Sequence, residues 1–557
     1  MTPATEARQW FPRTLALIVI AAVALVGGGA SPASAQSLPP ISGSGSTWSF
    51  NALNTWIGDV DSNGLTVNFN PVGSSRGRAD FRNGTTDFGV TEIPYQGGRD
   101  AAGNQDDIPS RGFGYMPIVA GGTAFMYNIQ VRGEPYTGLR LSGDTLAKIF
   151  TGEITKWNDA QITEDNNGVE MPDKKIIPVV RSDGSGTTAQ FTTYLDEQHP
   201  DIWRPFFGRS GLTSYYPTAD GFVAQNGSDG VQRYISADYG DGAIGYVEYS
   251  YALERDWPVA KVLNEAGYYT LPTQYNVAVA LTRAEIETEN TDPAVYLTQD
   301  LTGVFNHSDQ RAYPLSSYSY MILPTDNSNG MTDAKGETLS RFAGYFLCEG
   351  QNRAGPLGYS PLPLNLVMAG FDQIERIPGS AGDELTDPAN CNNPTFDGSD
   401  PNRNLLAEIA PAIPDCDKVG EGPCDGETDN GTGGPGGSDG GGGSGDGTGG
   451  SGDGTGGTGD GTGGDGTGGT GVDGTGADGT DGVLIDPDTG LPIGTDGDGD
   501  GLGGTNLASS EAEAIPLTAI VLAAVQLLAI LVVPTVAARY LTGRAARRAA
   551  AADRPTG

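Results

Sequence analysis

From about Asp425 to Ser510 this 557-residue chain is written almost wholly in Gly, Asp, Thr and Ser, with scarcely an apolar side chain. Such a stretch buries too little surface to offset the entropy of ordering it, so residues 425–513 read as a disordered linker. A Gly-rich coil of that length has a root-mean-square reach of roughly 50 Å. No Lys or Arg occurs between Lys418 and Arg539 while Asp recurs, so the linker supplies about half of the net charge of −37. That balance argues against a nucleic-acid partner. Asp496, Asp498 and Asp500, followed by Gly501, resemble the opening of a calcium loop. Leu507 stands where its last acidic ligand belongs, so linker is the expectation there too.

The linker separates a foldable part from two apolar ends. Arg8 and Arg13, the run Leu15–Val26 and the small-residue site Ala33-Ser34-Ala35 read as a cleaved secretory signal over residues 1–35. An uncleaved anchor is the alternative, but the run is short for a span of ~20 residues. At the other end, Ile515–Ala538 holds no charge. At ~1.5 Å per residue it covers ~36 Å, enough for a ~30 Å hydrocarbon core. Arg539, Arg544, Arg547 and Arg548 follow it, and Glu511 and Glu513 precede it. Residues 514–538 are therefore expected to be a single transmembrane helix, with the basic tail 539–557 cytoplasmic and everything before it outside.

What can fold is residues 36–424. Four cysteines in an exported chain suggest two disulfides, with three pairings open. The short Cys416–Cys424 loop favours that pair, and hence Cys348–Cys391. With His199 and His307 the only histidines, a metal site or a histidine-based triad has little to work with. No cofactor is expected. Strand-like runs at Leu65–Phe69, Phe88–Val90, Tyr115–Tyr127 and Ile176–Val180 alternate with helical segments at Thr145–Phe150 and Ala189–Leu195. Ser142 and Asp144 are cap candidates for the first of these helices. The alternation implies an α/β fold, and the length implies two lobes.

Three segments repeat one design: a strand end, a Ser/Thr/Gly turn, a helix start. They are Gly43-Ser44-Gly45-Ser46-Thr47-Trp48, Gly73-Ser74-Ser75-Arg76-Gly77-Arg78 and Arg181-Ser182-Asp183-Gly184-Ser185-Gly186-Thr187-Thr188. Glycine lets the backbone approach a ligand, hydroxyls add donors, and the first helical turn and its dipole attract anions. Singly, each is more often a helix cap or a turn. Three together, the last with an arginine that can grip an oxyanion bidentately and an aspartate placed to hold it, point to an anion site. No lysine follows with the spacing of a nucleotide P-loop.

With GSGSTW (43–48), GSS (73–75), DFGVTEIP (87–94), FTGEITKW (150–157), VVRSDGSGTT (179–188) and GAIGYVEYSYA (242–252) in this order, the chain resembles the phosphate-binding proteins of bacterial high-affinity phosphate ABC transporters. The resemblance covers roughly residues 40–370. It implies a two-lobed periplasmic-binding-protein type 2 fold. By position it puts lobe 1 at about 38–120 and 247–415, and lobe 2 at about 121–246. It also implies inorganic phosphate as ligand, held by Thr47, Trp48 (through its backbone N–H), Ser74, Glu92, Arg181, Asp183, Ser185, Gly186 and Thr187. Glu92 departs from the aspartate usual in the family, and the alternative is that it points to solvent or pairs with Arg76 or Arg78.

Capture for an importer, with permease subunits as partners and the membrane reached through the C-terminal helix, is the leading expectation. A surface or sensor protein binding phosphate or a phosphorylated molecule is the alternative. An enzyme is not expected: Ser185 beside Asp183 could be read as the nucleophile pair of a phosphatase, but no third group is visible.

Overall fold

The computed structural model describes residues 38–100, 103–382, 391–396, 400 and 402–424. The expected signal, linker, transmembrane segment, basic tail and Asp496–Asp500 stretch lie outside the described residues. Among the described residues no helix is long and apolar enough to cross a membrane.

Eight strands form one mixed sheet: β1 (Ile41–Gly45), β2 (Val67–Asn70), β3 (Phe88–Thr91), β4 (Phe113–Tyr127), β5 (Ile177–Arg181), β6 (Val223–Gln225), β7 (Ala243–Glu248) and β8 (Ser316–Pro324). Their spatial order is β2-β1-β3-β8-β4-β7-β5-β6. The outer groups β2-β1-β3 and β7-β5-β6 are each parallel. Antiparallel β8 and β4 join them. The 15-residue β4 pairs with β8 through Gly122 and with β7 from Thr123, so it runs from one half of the sheet into the other. Every residue of β4 is buried, as its near-continuous apolar run requires. The α/β fold expected of the sequence is the fold observed.

Four helices matter for the site: α1 (Phe50–Asp61), α2 (Ser74–Arg82), α3 (Gly186–Gln198) and α4 (Gly227–Ser236). Each follows the C-terminal end of a parallel strand; the three antiparallel pairings between β3 and β7 make the two parallel groups run in opposite directions along successive lengths of β4, so the N-termini of α1 and α2 point toward those of α3 and α4. The strand read at Leu65 begins only at Val67. Gly64, at φ +83°, turns the chain, and Leu65 N–H donates to Val60 O at 3.1 Å to close α1. Helix α3 is fixed from below by aromatic packing. Phe191 lies 5.2 Å from Phe125 and 5.1 Å from both Phe150 and Tyr246, ring centre to ring centre. Truncating such a ring typically costs about 3–5 kcal/mol. Ser142 accepts from Thr145 N–H at 3.2 Å and caps the helix Gly143–Thr151, with Asp144 in its first turn.

The chain just after Glu248 stays with the second half of the sheet: Ala260 N–H donates to Phe125 O at 2.9 Å, and Lys261–Leu263 pairs with Arg140–Leu141 and Tyr269–Thr270. The end of the described chain is strapped onto this small sheet. Lys261 Nζ meets Asp417 at 2.8 Å, with both side chains buried. Arg140 Nη1 donates to Cys416 O at 3.0 Å and to Glu421 O at 2.8 Å. Cys416 is bonded to Cys424 and Cys348 to Cys391, with Cα atoms 5.1 and 4.8 Å apart.

Candidate anion-binding site

The turns entering α1, α2 and α3 meet in one closed cleft, joined by the N-terminus of α4. Gly73 reaches φ +91° at the α2 cap, and a Cβ there would stand 2.5 Å from Asp183 Oδ2. Ser75 N–H donates to Gly184 O and Gly186 N–H to Ser74 Oγ, at 3.0 and 3.1 Å, which stitches the α2 turn to the α3 turn. Thr47 Oγ1 lies 3.1 Å from Ser228 Oγ and accepts Ser228 N–H at 3.2 Å, stitching the α1 turn to α4. Tyr251, in the segment 242–252, donates its hydroxyl to Thr47 O and so holds that turn. Thr47, Trp48, Ser74, Glu92, Arg181, Ser185 and Thr187 are all buried.

Arg181 ends β5. Its Nε donates to Asp183 Oδ1 at 2.7 Å and its Nη2 to Asp183 Oδ2. Asp183 also accepts Gly227 N–H at 3.0 Å, placing its negative charge at the start of α4. Burial pushes the Asp183 carboxyl up, but the Arg181 charge and hydrogen bonds more than offset it and hold it below the usual range. The third edge of the guanidinium is different. Nη1 finds only Ser228 Oγ at 3.3 Å and Thr187 Oγ1 at 3.4 Å, both long for hydrogen bonds.

Glu92, just past β3, is fully buried and pairs with neither arginine weighed for it. Arg76 reaches in from the surface to bond the buried Asp80, and Arg78 is buried against Asp106. Glu92 instead sits among hydroxyls. Oε1 accepts from Ser46 and from Ser319 at 3.0 Å, and Oε2 accepts from Ser74 at 2.6 Å. Burial raises its carboxyl above the ordinary value, while these bonds and the Arg181 charge pull it partly back. Gly186 has to be glycine here, because a Cβ would lie 1.7 Å from Glu92 Oε2.

All nine expected residues thus line or brace one cleft, though two groups act locally. Trp48 N–H, expected to face a ligand, donates to Ser46 Oγ at 2.9 Å. Ser185 Oγ accepts Thr188 N–H at 3.1 Å as the cap of α3. Reading the sequence assigned no role to Ser46, Ser228 or Ser319. Gly227-Ser228 starts a helix after a strand, as the three chosen turns do, and that signal was available. Ser319 on β8 carries none. Among the described residues no group of acidic, histidine or cysteine side chains is arranged to hold a metal ion.

A family profile for the PBP superfamily domain matches residues 30–349. Among curated proteins, the phosphate-binding protein PstS of Xylella fastidiosa (strain Temecula1) is 31% identical over 328 residues, 59% of this chain and 82% of that one. PstS of Methanocaldococcus jannaschii is 31% identical over 374 residues, 64% and 92%. The chain belongs to the phosphate-binding protein family of the PBP superfamily. PstS 3 of Mycobacterium leprae, 30% identical over 330 residues, covers 58% of this chain and 83% of its own. A solved high-affinity periplasmic phosphate-binding protein, bound with phosphate, overlays 64% of this chain at 19% identity with a TM-score of 0.48; the family rests on the sequence matches.

Proposed function

We propose that this family member captures inorganic phosphate outside the cell membrane and delivers it to an ABC importer. In this reading a cleaved signal at 1–35 exports it and a helix at 514–538 tethers it. The observation that carries the ligand assignment is the free-facing edge of Arg181. Its other two edges are locked by Asp183, and Nη1 is left with two long contacts beside the N-termini of α3 and α4. A guanidinium held this way is preorganised for an oxyanion.

The charges in the cleft support phosphate over other anions. Asp183 neutralises Arg181, so an ionised Glu92 leaves the site without net positive charge, and helix N-termini supply the remaining attraction. A carboxylate has acceptors only. It pairs with a ligand O–H, which phosphate keeps near neutral pH, and it repels a fully deprotonated oxygen. Leaving two facing acceptors unpaired costs about 1–3 kcal/mol. Capture without turnover also fits: both Asp183 oxygens are taken by Arg181, and the Ser185 hydroxyl caps its helix, so neither is poised as base or nucleophile.

Calorimetric titration of the full chain with phosphate, arsenate, sulfate and a phosphate ester tests this. Phosphate and arsenate should bind and sulfate and the ester should not; equal binding of phosphate and sulfate would sink the reading. For the tether, protease added to intact cells should release a fragment, ending in the Gly/Asp stretch, that still binds phosphate.

A further inference from the structure

Glu92 has about four acceptor positions to fill, two on each oxygen. Ser46 Oγ already accepts Trp48 N–H at 2.9 Å and Ser49 N–H at 3.3 Å, so its single proton goes to Glu92 Oε1. Ser319 Oγ, 3.0 Å away, supplies the second bond to the same oxygen. Its single proton also has Ser49 Oγ within reach at 3.1 Å, at the start of α1; the charged carboxylate oxygen is the stronger acceptor and takes it. Oε1 is therefore full. Oε2 receives only Ser74, whose Oγ is itself fixed by Gly186 N–H at 3.1 Å. One acceptor position stays open, on the oxygen that abuts Gly186 where α3 begins.

We propose that Ser319, on strand β8 between the two halves of the sheet, is a positioning residue that saturates Glu92 Oε1 and so commits Oε2 to reading the proton on the bound anion. This rests on the phosphate reading above. Ser319 touches no ligand in it; it acts through Glu92. The groups facing Glu92 from β1, α2 and β8 are hydroxyls, and from α3 the Gly186 backbone. The charged group acting on it is Arg181 at the end of β5, already paired with Asp183.

Removing the Ser319 hydroxyl leaves an acceptor of Oε1 dry and unpaired, which favours the protonated form of Glu92. A protonated Glu92 becomes a donor, and a fully deprotonated anion such as sulfate is then tolerated. Ser319→Ala should therefore lose discrimination on the acid side at a pH where the wild type still keeps it.

The test is the ratio of phosphate to sulfate affinity for the full chain, measured by calorimetry from acid to neutral pH at constant ionic strength. The proteins are wild type, Ser319→Ala, Ser319→Thr and Glu92→Gln. Phosphate's own titration is common to all four and cancels between them. Glu92→Gln should give a low ratio whose pH dependence is that of phosphate alone. Ser319→Ala should approach the wild-type ratio at the alkaline end and fall about tenfold below it on the acid side, the equivalent of one hydrogen bond to a charged group. Ser319→Thr, which restores the hydroxyl, should restore the profile. If Ser319→Ala follows the wild type at every pH while Glu92→Gln departs from it, Ser319 has no positioning role. If Glu92→Gln is unchanged as well, Glu92 does not face the ligand and the proposal falls with it. If the wild type binds no phosphate, the functional reading fails first and takes this one with it.

Discussion

Arg78 and Arg181 are both buried, and each forks against a single aspartate from its own half of the sheet. Arg78 donates Nε and Nη2 to Asp106 at 2.9 and 3.0 Å, and its third edge is filled by Thr91 Oγ1 at 2.9 Å. Arg181 forks onto Asp183 in the same way, but its third edge meets only contacts of 3.3 and 3.4 Å. Burial and pairing are thus shared by a brace and by the arginine proposed to bind the anion. The quality of the remaining donors separates them, since a buried arginine that is fully and tightly bonded has nothing left for a ligand.

Breaking the brace should have the largest effect. Arg78→Met leaves Asp106 buried with Gln96 N–H as its remaining partner at 3.2 Å, and should cost about 3–5 kcal/mol of stability by denaturant unfolding. Phosphate affinity of the folded variant should be unchanged. Loss of binding with unchanged unfolding would reverse the roles assigned here. Arg181→Met should do the opposite, losing about 2–5 kcal/mol of phosphate binding by calorimetry. Its melt should move less than that of Arg78→Met, because Asp183 keeps Gly227 N–H and the α4 N-terminus. Binding within about threefold of wild type, or ~0.6 kcal/mol, would remove Arg181 from the site.

A smaller effect is expected of Asp183→Asn, which keeps the shape but loses the charge that orients Arg181. Binding should weaken by about 1.5–3 kcal/mol. An unchanged affinity would mean the guanidinium needs no orienting partner.

The smallest effect carries the contrast over to carboxylates. Glu92 is ringed by three hydroxyls, whereas Glu248, equally buried, has one oxygen on Ser250 N–H at 2.7 Å and no hydrogen bond on the other. Burial pushes the Glu248 carboxyl well above the usual value. Between that usual value and the raised one, the folded protein holds a proton that the unfolded chain has released, so this group's contribution to stability falls as pH rises. Glu248→Gln removes the slope, and its advantage over wild type should grow from acid to neutral pH to about 1–2 kcal/mol. A melting-temperature difference that shrinks with rising pH would show that Glu248 is ionised and stabilising.

Much of this site was legible because its parts are local. Arg181, Asp183, Ser185, Gly186 and Thr187 lie within seven consecutive residues at a strand-to-helix turn, and the arginine and aspartate there are what an ordinary cap does not need. Of the hydroxyls around Glu92 only Ser74 was given a role from the sequence; Ser319 was not legible, because it comes to the site only when β8 pairs with β3 and β4. A serine on a buried strand looks like any other small residue until its neighbour across the sheet is known. Trp48 shows the converse. Its backbone N–H was expected in the cleft, but the intervening Ser46 hydroxyl takes it, a contact between residues two apart that spacing alone does not reveal.

The strap over residues 405–424 also decides where mechanical load enters the protein. Tension on the chain beyond Cys424 meets a covalent staple, then the Arg140 and Lys261 bonds to the strap, and through them the small sheet at 140–141 and 261–263. From the small sheet the pull passes to β4 through Ala260 N–H to Phe125 O at 2.9 Å, on the length of β4 that pairs with β7 and not on the length that pairs with β8. Under the proposed tether, load would thus arrive on one half of the sheet and not on the cleft between the two.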